Sequence, residues 1–137
     1  YLTHLKIKSE EARLKEIQKL TNIVNISKII NKIIMGDLNS LKRSDYTNEK
    51  WRNMIINESK YTPEHLQVIP YLEQMNFRDS FQSSNIIQPT STSVYDRRVD
   101  YIYTNSYYIK NTFVYNSNAS DHLPIVAEVS LTLNNSI

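Results

Sequence analysis

Cysteine is absent from this chain of 137 residues, and glycine occurs once. The lack of cysteine excludes a disulfide framework, a thiolate metal site and a cysteine nucleophile. No apolar run approaches the ~18 residues of a membrane-spanning helix, so we expect no membrane span. The 16 basic and 14 acidic residues give a net charge of +2, which neither favours nor excludes a nucleic-acid partner.

The scarcity of glycine accompanies an abundance of Asn, Ile, Lys and Tyr, which A/T-rich codons encode. A biased genome therefore explains the composition without a special fold. The same bias makes the surviving glycine, Gly36, informative, because glycine serves tight turns and close backbone approach. The β-branched run 29–35 ends at Gly36, which predicts a buried strand that stops there at a turn.

Helices are predicted mainly in the first two thirds of the chain. Ser9 is a predicted N-cap for a helix with an apolar stripe, and Thr47 or Asn48 is expected to cap a second helix. A third helix is predicted from Thr62-Pro63 onwards, with Pro70 kinking or splitting it. Asn76 is expected to end that helix in the left-handed conformation, where glycine is usual.

The last third of the chain predicts strands over 99–103, 112–115 and 125–133, the last with strict alternation of apolar and polar residues. The chain also begins inside a β-prone run without a starting Met. We therefore expect residues 1–137 to be the C-terminal part of a single domain whose N-terminal half is missing. The localisation stays open.

Polar residues of catalytic type occur at the ends of the predicted strands. Asp37 and Asn39 are two apart, so an extended backbone would place a carboxylate beside a carboxamide, which suits a hard cation and a phosphate oxygen. The alternative is a turn in which both side chains bond their own backbone.

Two histidines accompany these groups. His122 follows Asp121, and Asp100 on a neighbouring strand could fix the tautomer that His122 needs to act as a base. The alternatives are a turn-capping Asp121 with a surface His122, and a core or edge role for His4.

Together, the order His4, Gly36-Asp37-Leu38-Asn39, Arg98-Val99-Asp100-Tyr101-Ile102 and Ser120-Asp121-His122-Leu123-Pro124 resembles the C-terminal half of the endonuclease/exonuclease/phosphatase superfamily. The resemblance covers nearly the whole chain. It implies the DNase I-like four-layer α/β sandwich, here as one mostly antiparallel sheet with helices on one face.

The resemblance also implies roles for individual residues. His122 would activate water, Asp100 would hold His122, and His4 would contact the phosphate and protonate the leaving oxygen. The implied cofactor is Mg²⁺, with Mn²⁺ as an alternative. The implied metal ligands are Asp37, Asn39 and Asp121, and the implied phosphate contacts are His4, Asn39 and Arg98. Gly36 would keep the backbone close to the metal–phosphate site.

The expected activity is hydrolysis of a phosphoester, with nucleic acid among the candidate substrates. The principal metal-binding glutamate of the superfamily lies in its N-terminal half, so these 137 residues alone are expected to be inactive. Two alternatives stay open. One is a non-catalytic DNase I-like binding homologue, and the other is a small α/β binding domain whose Asp and Asn residues are caps and turns.

Overall fold

A four-stranded mixed sheet is the centre of the chain, in a computed structural model that describes residues 1–7, 9–58, 65–83 and 91–131. Its strand order is β1-β2-β4-β3. Strand β1 is parallel to β2, and β4 is antiparallel to both β2 and β3. The bounds are Leu2–His4 for β1, Ile33–Asp37 for β2, Arg78–Asp79 for β3 and Asp100–Thr104 for β4.

A separate antiparallel ribbon follows, formed by β5 (Tyr107–Val114) and β6 (Ile125–Leu131). The expected single sheet is therefore a sheet plus a ribbon in the described residues. Along β6, Ile125, Ala127 and Val129 are half-buried and Val126 and Glu128 are exposed, so the predicted alternation is confirmed. The predicted end of this strand at Leu133 lies outside the described residues.

The helices are α1 (Glu10–Ile26), α2 (Asn48–Glu58), α3 (Val68–Gln74) and the short α4 (Ser80–Ser83). Helices α1 and α3 pack against the central sheet, and the apolar side chains between them form the main hydrophobic core. This core includes Ile17, Val24, Val68, Leu72, Ile34, Tyr101 and Tyr103. Burying these apolar side chains is the main favourable contribution to folding. The predicted α/β class is confirmed.

Three helix caps that were predicted from the sequence are confirmed. The Oγ of Ser9 accepts a hydrogen bond from the Ala12 N–H at 3.2 Å, so Ser9 is the N-cap of α1. The Oγ1 of Thr47 accepts one from the Lys50 N–H at 3.2 Å at the start of α2. Asn76 follows α3 with a φ of 62°, in the left-handed region. The Phe77 N–H then donates to the Leu72 oxygen at 3.1 Å and closes the helix.

Asn76→Ala is expected to lower the free energy of unfolding by about 1 kcal/mol. Alanine is strained in the left-handed region and, unlike asparagine, has no polar side chain that can form a local hydrogen bond to offset this strain. Chemical denaturation followed by circular dichroism measures the change. Asn22→Ala is the matched control, since Asn22 is exposed within α1 and alanine favours helix. Equal stability of the Asn76→Ala variant and the parent would contradict the prediction.

Two predicted boundaries are wrong. Strand β2 begins at Ile33, while Ile29 and Ile30 are exposed ahead of it. Gly36 does not end the strand: it lies inside β2, opposite Thr3 of β1 and Tyr101 of β4. The β-branched composition marked the region, but hydrogen bonding to both neighbours sets the limits of the strand.

Pro70 neither kinks nor splits α3. It is the third residue of that helix, where a backbone N–H has no intrahelical partner and its absence costs little. The predicted start at Thr62-Pro63 lies outside the described residues, but residues 65–67 are described and are not helical. The prediction of a helix that continues from there is therefore wrong, and α3 begins at Val68. Among the residues that the structure describes, no helix combines the length and apolarity needed to cross a bilayer.

Candidate functional site

Three strand ends meet at one edge of the central sheet and carry the candidate site. His4 is the last residue of β1 and Asp37 is the last residue of β2, and the two strands are parallel. Strand β4 is antiparallel to β2, so its first residue, Asp100, lies directly opposite Asp37 at the same edge. The topology therefore brings together residues that are far apart in the sequence.

His122 reaches this edge from the turn before β6. The Nδ1 atom of His122 lies 2.8 Å from Oδ2 of Asp100. A carboxylate accepts hydrogen bonds and does not donate them, so Nδ1 carries the proton and Nε2 is left with a lone pair. The His122 side chain is 36% exposed, so the ring is partly accessible from solvent.

The electrostatic surroundings of His122 favour proton uptake. Burial by itself lowers the pKa of an imidazole, but the hydrogen bond and the charge of Asp100 outweigh it. The charges of Asp37 and Asp121 act in the same direction, and the net effect raises the pKa of His122. A raised pKa makes His122 a better proton acceptor.

Asp37 and Asn39 form a local turn as well as part of the site. The Asn39 N–H donates to Oδ1 of Asp37 at 2.7 Å, and the Asn39 amide donates to Oδ2 at 3.2 Å and to the Leu5 oxygen at 2.8 Å. Asn39 has a φ of 46°. The turn interpretation therefore holds for Asp37, whose carboxylate the turn fixes, and the catalytic and metal-binding roles of the two residues stay predictions.

His4 completes the cluster on the other side of Asp37. Its Nε2 lies 3.5 Å from Oδ2 of Asp37, and its side chain is 72% exposed. This exposure excludes a core role for His4, whereas the edge role agrees with the strand order, because β1 is an outer strand of the described sheet. His4 stands at the open end of β1, facing the carboxylate from solvent.

The two carboxylates of the site face each other across the sheet. Directly opposed like charges destabilise a strand pair unless something compensates them. Burial raises the pKa of Asp37 despite the hydrogen bond from Asn39, and the charge of Asp100 raises it further. The site is thus a place where a cation would be favoured.

The donor set fits a divalent ion. Asp37, Asp100 and His122 each offer one ligand atom, and the three atoms lie within 4.8 Å of one another. Carboxylate oxygens suit Mg²⁺ or Mn²⁺, which bind few protein ligands and complete their coordination with water and phosphate. This set shares only Asp37 with the predicted ligands. Asn39 is next to Asp37, and its amide nitrogen points to it.

Asp121 lies beside this cluster rather than within it. Its side chain is exposed, its Oδ1 accepts from the Ser120 hydroxyl at 3.2 Å, and its backbone oxygen accepts from the Val94 N–H at 2.9 Å. Its charge still acts on His122. The expected metal contact by Asp121 stays a prediction.

Arg98 is a correction. Its side chain is 2% exposed, and its guanidinium forms ion pairs with Asp79 at 2.5 Å and with Asp45 at 3.2 Å. The prediction that Arg98 contacts substrate phosphate is wrong, since the group is enclosed in the protein interior. A pattern of neighbouring arginines and an aspartate does not tell which side chains point inwards.

Two contributors to the site went unnoticed in the sequence. Thr92 is fully buried and accepts hydrogen bonds from the backbone of β4, and Ser93 pairs with His122 in an isolated antiparallel bridge. Neither residue type signals chemistry by itself. Their position eight and seven residues before Asp100 was the sole trace in the sequence.

Solved structures share the fold of this chain. A functionally unknown conserved protein from Enterococcus faecalis V583 superposes with a TM-score of 0.69 at 20% identity, over 94% of this chain and 48% of its own. An endonuclease/exonuclease/phosphatase from Beutenbergia cavernae DSM 12333 gives 0.63 at 17% identity, over 93% of this chain and 34% of its own. An endonuclease/exonuclease/phosphatase family protein from Bacteroides thetaiotaomicron gives 0.56 at 15% identity, over 93% and 48%.

The chain therefore has the DNase I-like fold of the endonuclease/exonuclease/phosphatase superfamily, and the resemblance inferred from its motifs is confirmed at the level of fold. It spans about half or less of the length of the structures it matches. No protein-family model matches the chain, and no curated protein matches it.

Proposed function

We propose that this chain carries the His–Asp half of the active site of a metal-dependent phosphoesterase. The observation that supports the proposal is the hydrogen bond of 2.8 Å between His122 and Asp100, directly beside the Asp37 carboxylate. The fold is that of a superfamily whose solved members include endonuclease/exonuclease/phosphatase proteins. Geometry and fold thus support the same reaction class.

His122 acts as the general base in this proposal. Asp100 fixes the ring with Nδ1–H towards itself, so Nε2 accepts a proton from water as the water oxygen attacks phosphorus. Asp100 also stabilises the imidazolium that forms, as its pairing raises the pKa of His122. A positioned base of this kind contributes roughly 10²–10⁴-fold to a rate.

His4 acts at the opposite side of the reacting phosphorus. As the bond between phosphorus and the ester oxygen breaks, the leaving oxygen takes a proton from His4. Nε2 of His4 lies 3.5 Å from Oδ2 of Asp37, which places the ring beside the carboxylate of the site. The exposure of His4 leaves room for the leaving group.

A divalent ion would be held beside these groups chiefly by the Asp37 carboxylate, with Asp100 as the neighbouring carboxylate, while His122 stays free to act as the base. When bound, it would supply Lewis-acid stabilisation of the charge that develops on phosphate oxygens. The Asn39 carboxamide, held by Asp37 and Leu5, orients the Asp37 carboxylate for this contact.

The test is hydrolysis of bis(p-nitrophenyl) phosphate by the full-length natural protein, with Mg²⁺ and after removal of divalent ions by EDTA. We expect Mg²⁺-dependent release of nitrophenol. His122→Ala should lower kcat by about 10²-fold or more, because the general base is lost.

His65→Ala is the matched control, because His65 is an exposed histidine ahead of α3 and belongs to none of the strands that carry the site. It should leave kcat unchanged. Full activity in His122→Ala would refute the mechanism, and activity that persists in EDTA would refute the metal dependence. An inactive parent that still binds Mn²⁺ would favour a non-catalytic binding protein.

The substrate is approached with a panel that contains duplex DNA, RNA, a phosphoinositide and sphingomyelin. The exposed Tyr108 and Tyr115 leave stacking on nucleic-acid bases open, whereas Tyr101 and Tyr103 are core residues. A strong fall of the rate with salt would favour a polyanionic substrate.

A further inference from the structure

We propose that Thr92 is the positioning residue that holds Asp100 and His122 in register. This inference rests on the proposed function for its meaning in catalysis, but the positioning itself is independent of it. Thr92 has no exposed surface. It acts through hydrogen bonds to the backbone on both sides of the His–Asp pair.

The first connection runs from the Thr92 side chain to the start of β4. Its Oγ1 accepts hydrogen bonds from the Val99 N–H and the Asp100 N–H, each at 3.1 Å. A hydroxyl oxygen has two lone pairs, and both are used here. The backbone of the residue that supplies the acid of the pair is therefore fixed by the Thr92 hydroxyl.

The second connection runs from the Thr92 backbone to the turn that carries His122. Its carbonyl oxygen accepts from the Leu123 N–H at 2.9 Å. The neighbouring Ser93 forms the isolated bridge with His122, and the Val94 N–H donates to the Asp121 oxygen at 2.9 Å. The segment 92–94 thus lies alongside the turn 121–123.

The backbone of Thr92 is itself held by a hydrogen bond to Arg97. Its N–H donates to the Arg97 oxygen at 3.0 Å, which closes the loop between the segment 92–94 and β4. The Ser91 and Ser93 hydroxyls donate to the same oxygen, each at 3.1 Å. One buried residue therefore joins the backbone of Asp100 to the backbone beside His122.

The chemical requirement at this position is an acceptor of threonine size. Valine has nearly the same shape but no oxygen, so Thr92→Val would remove the acceptor of the part-buried Val99 and Asp100 N–H groups. Serine keeps the oxygen and loses a methyl group. The pair of variants therefore separates the acceptor from the packing.

The first measurement uses NMR of the full-length protein and follows the Nδ1–H proton of His122. In the parent and in Thr92→Ser, this proton is expected to be shifted downfield and protected from solvent exchange by Asp100. In Thr92→Val the signal should be lost to exchange, because Asp100 is no longer held. Persistence of the protected signal in Thr92→Val would overturn the proposal.

The second measurement uses the full-length protein and compares kcat with KM. A misplacement of about 1 Å costs on the order of 10²-fold in rate, so we expect such a loss of kcat in Thr92→Val with little change in KM. Thr92→Ser should recover most of kcat. An inactive parent would refute the proposed function, while the NMR measurement would still decide the positioning.

Thr112→Val is the matched control for loss of a buried hydroxyl. Thr112 is fully buried in β5, and its Oγ1 donates to the Ser80 oxygen at 3.1 Å, outside the His–Asp pair. Thr112→Val should leave the His122 signal and kcat intact, and a loss there equal to that of Thr92→Val would overturn the proposal.

If Thr92→Val does not fold, Thr92→Cys replaces it, since sulfur is a weak acceptor. A protected His122 signal and unchanged kcat in Thr92→Cys would then overturn the proposal.

Discussion

Gly36→Ala is expected to lower the free energy of unfolding by about 4 kcal/mol, from backbone strain and forced separation of two strands. Gly36 has a φ of +133°, a conformation that L side chains rarely adopt. A Cβ at this position would lie 1.9 Å from the backbone oxygen of Thr3. Since that atom is part of β1, the strand itself would have to move.

Denaturant unfolding of the parent and the variant measures this change, and the loss is a large part of the ~5–15 kcal/mol that holds a typical domain. Met35→Ala is the control. Met35 precedes Gly36 on β2 with a side chain that is 41% exposed, so its truncation should cost much less. Equal unfolding midpoints for Gly36→Ala and the parent would contradict the prediction.

The structure also changes the reason for which glycine is needed. From the sequence, a side chain at Gly36 was expected to intrude on a bound metal–phosphate group. The atoms that a Cβ would meet belong instead to Thr3, which pairs with Gly36 in the sheet. Displacement of β1 would carry His4 away from Asp37, so stability and site geometry should be lost together.

Arg98→Leu is expected to cost about 3–5 kcal/mol at neutral pH, because it leaves buried carboxylates without their cation. The guanidinium pairs with Asp45 and Asp79, whose side chains are 3% and 1% exposed. It also lies over the Phe81 and Tyr101 rings, at 4.4 and 4.5 Å from their centroids. Leucine replaces the packing in part but none of the charge.

The stability lost in Arg98→Leu should increase as pH rises. Burial raises the pKa of Asp45 from 3.8 to about 6, against the attraction of Arg98. Between these values the folded chain binds the proton more tightly than the unfolded chain does, so the Asp45 contribution to stability is present at low pH and is lost as pH rises. Without Arg98 that loss is larger, so the gap between Arg98→Leu and the parent should widen from pH 4 to pH 7.

Unfolding free energies at several pH values test this. Arg78→Leu is the control, since Arg78 is exposed on β3 and its removal changes the net charge equally. It should leave stability nearly unchanged at each pH. A destabilisation by Arg98→Leu that is independent of pH would contradict the assignment of its cause to the carboxylates.

The helix caps could be predicted from the sequence, whereas the limits of strand β2 could not. Ser9 and Asn76 were placed from the sequence because a cap depends on a few neighbouring residues. Limits that depend on partners across the sheet were missed: β2 starts four residues later than predicted and continues through Gly36. No pattern within residues 29–37 contains the hydrogen bonds of β1 and β4 that set those limits.

The site residues were likewise predictable only where residue type and position in the sequence were enough to identify them. His4, Asp37, Asn39, Asp100 and His122 were singled out by residue type at strand ends, and the structure brings these five together. Arg98 was misassigned because its direction depends on the buried Asp45 and Asp79, which are distant in sequence. Thr92 was missed because its role lies in backbone hydrogen bonds, which leave no chemical signature in the side chain.

The convergence of three strand ends also bears on how the molecule assembles. His4, Asp37, Asp100 and His122 come from separate regions of the chain, so no helix or hairpin contains the site. Contacts between residues distant in sequence close slowly, because the chain loses loop entropy before these contacts stabilise it. The helices can therefore form early in refolding, whereas the site exists only once the sheet is complete.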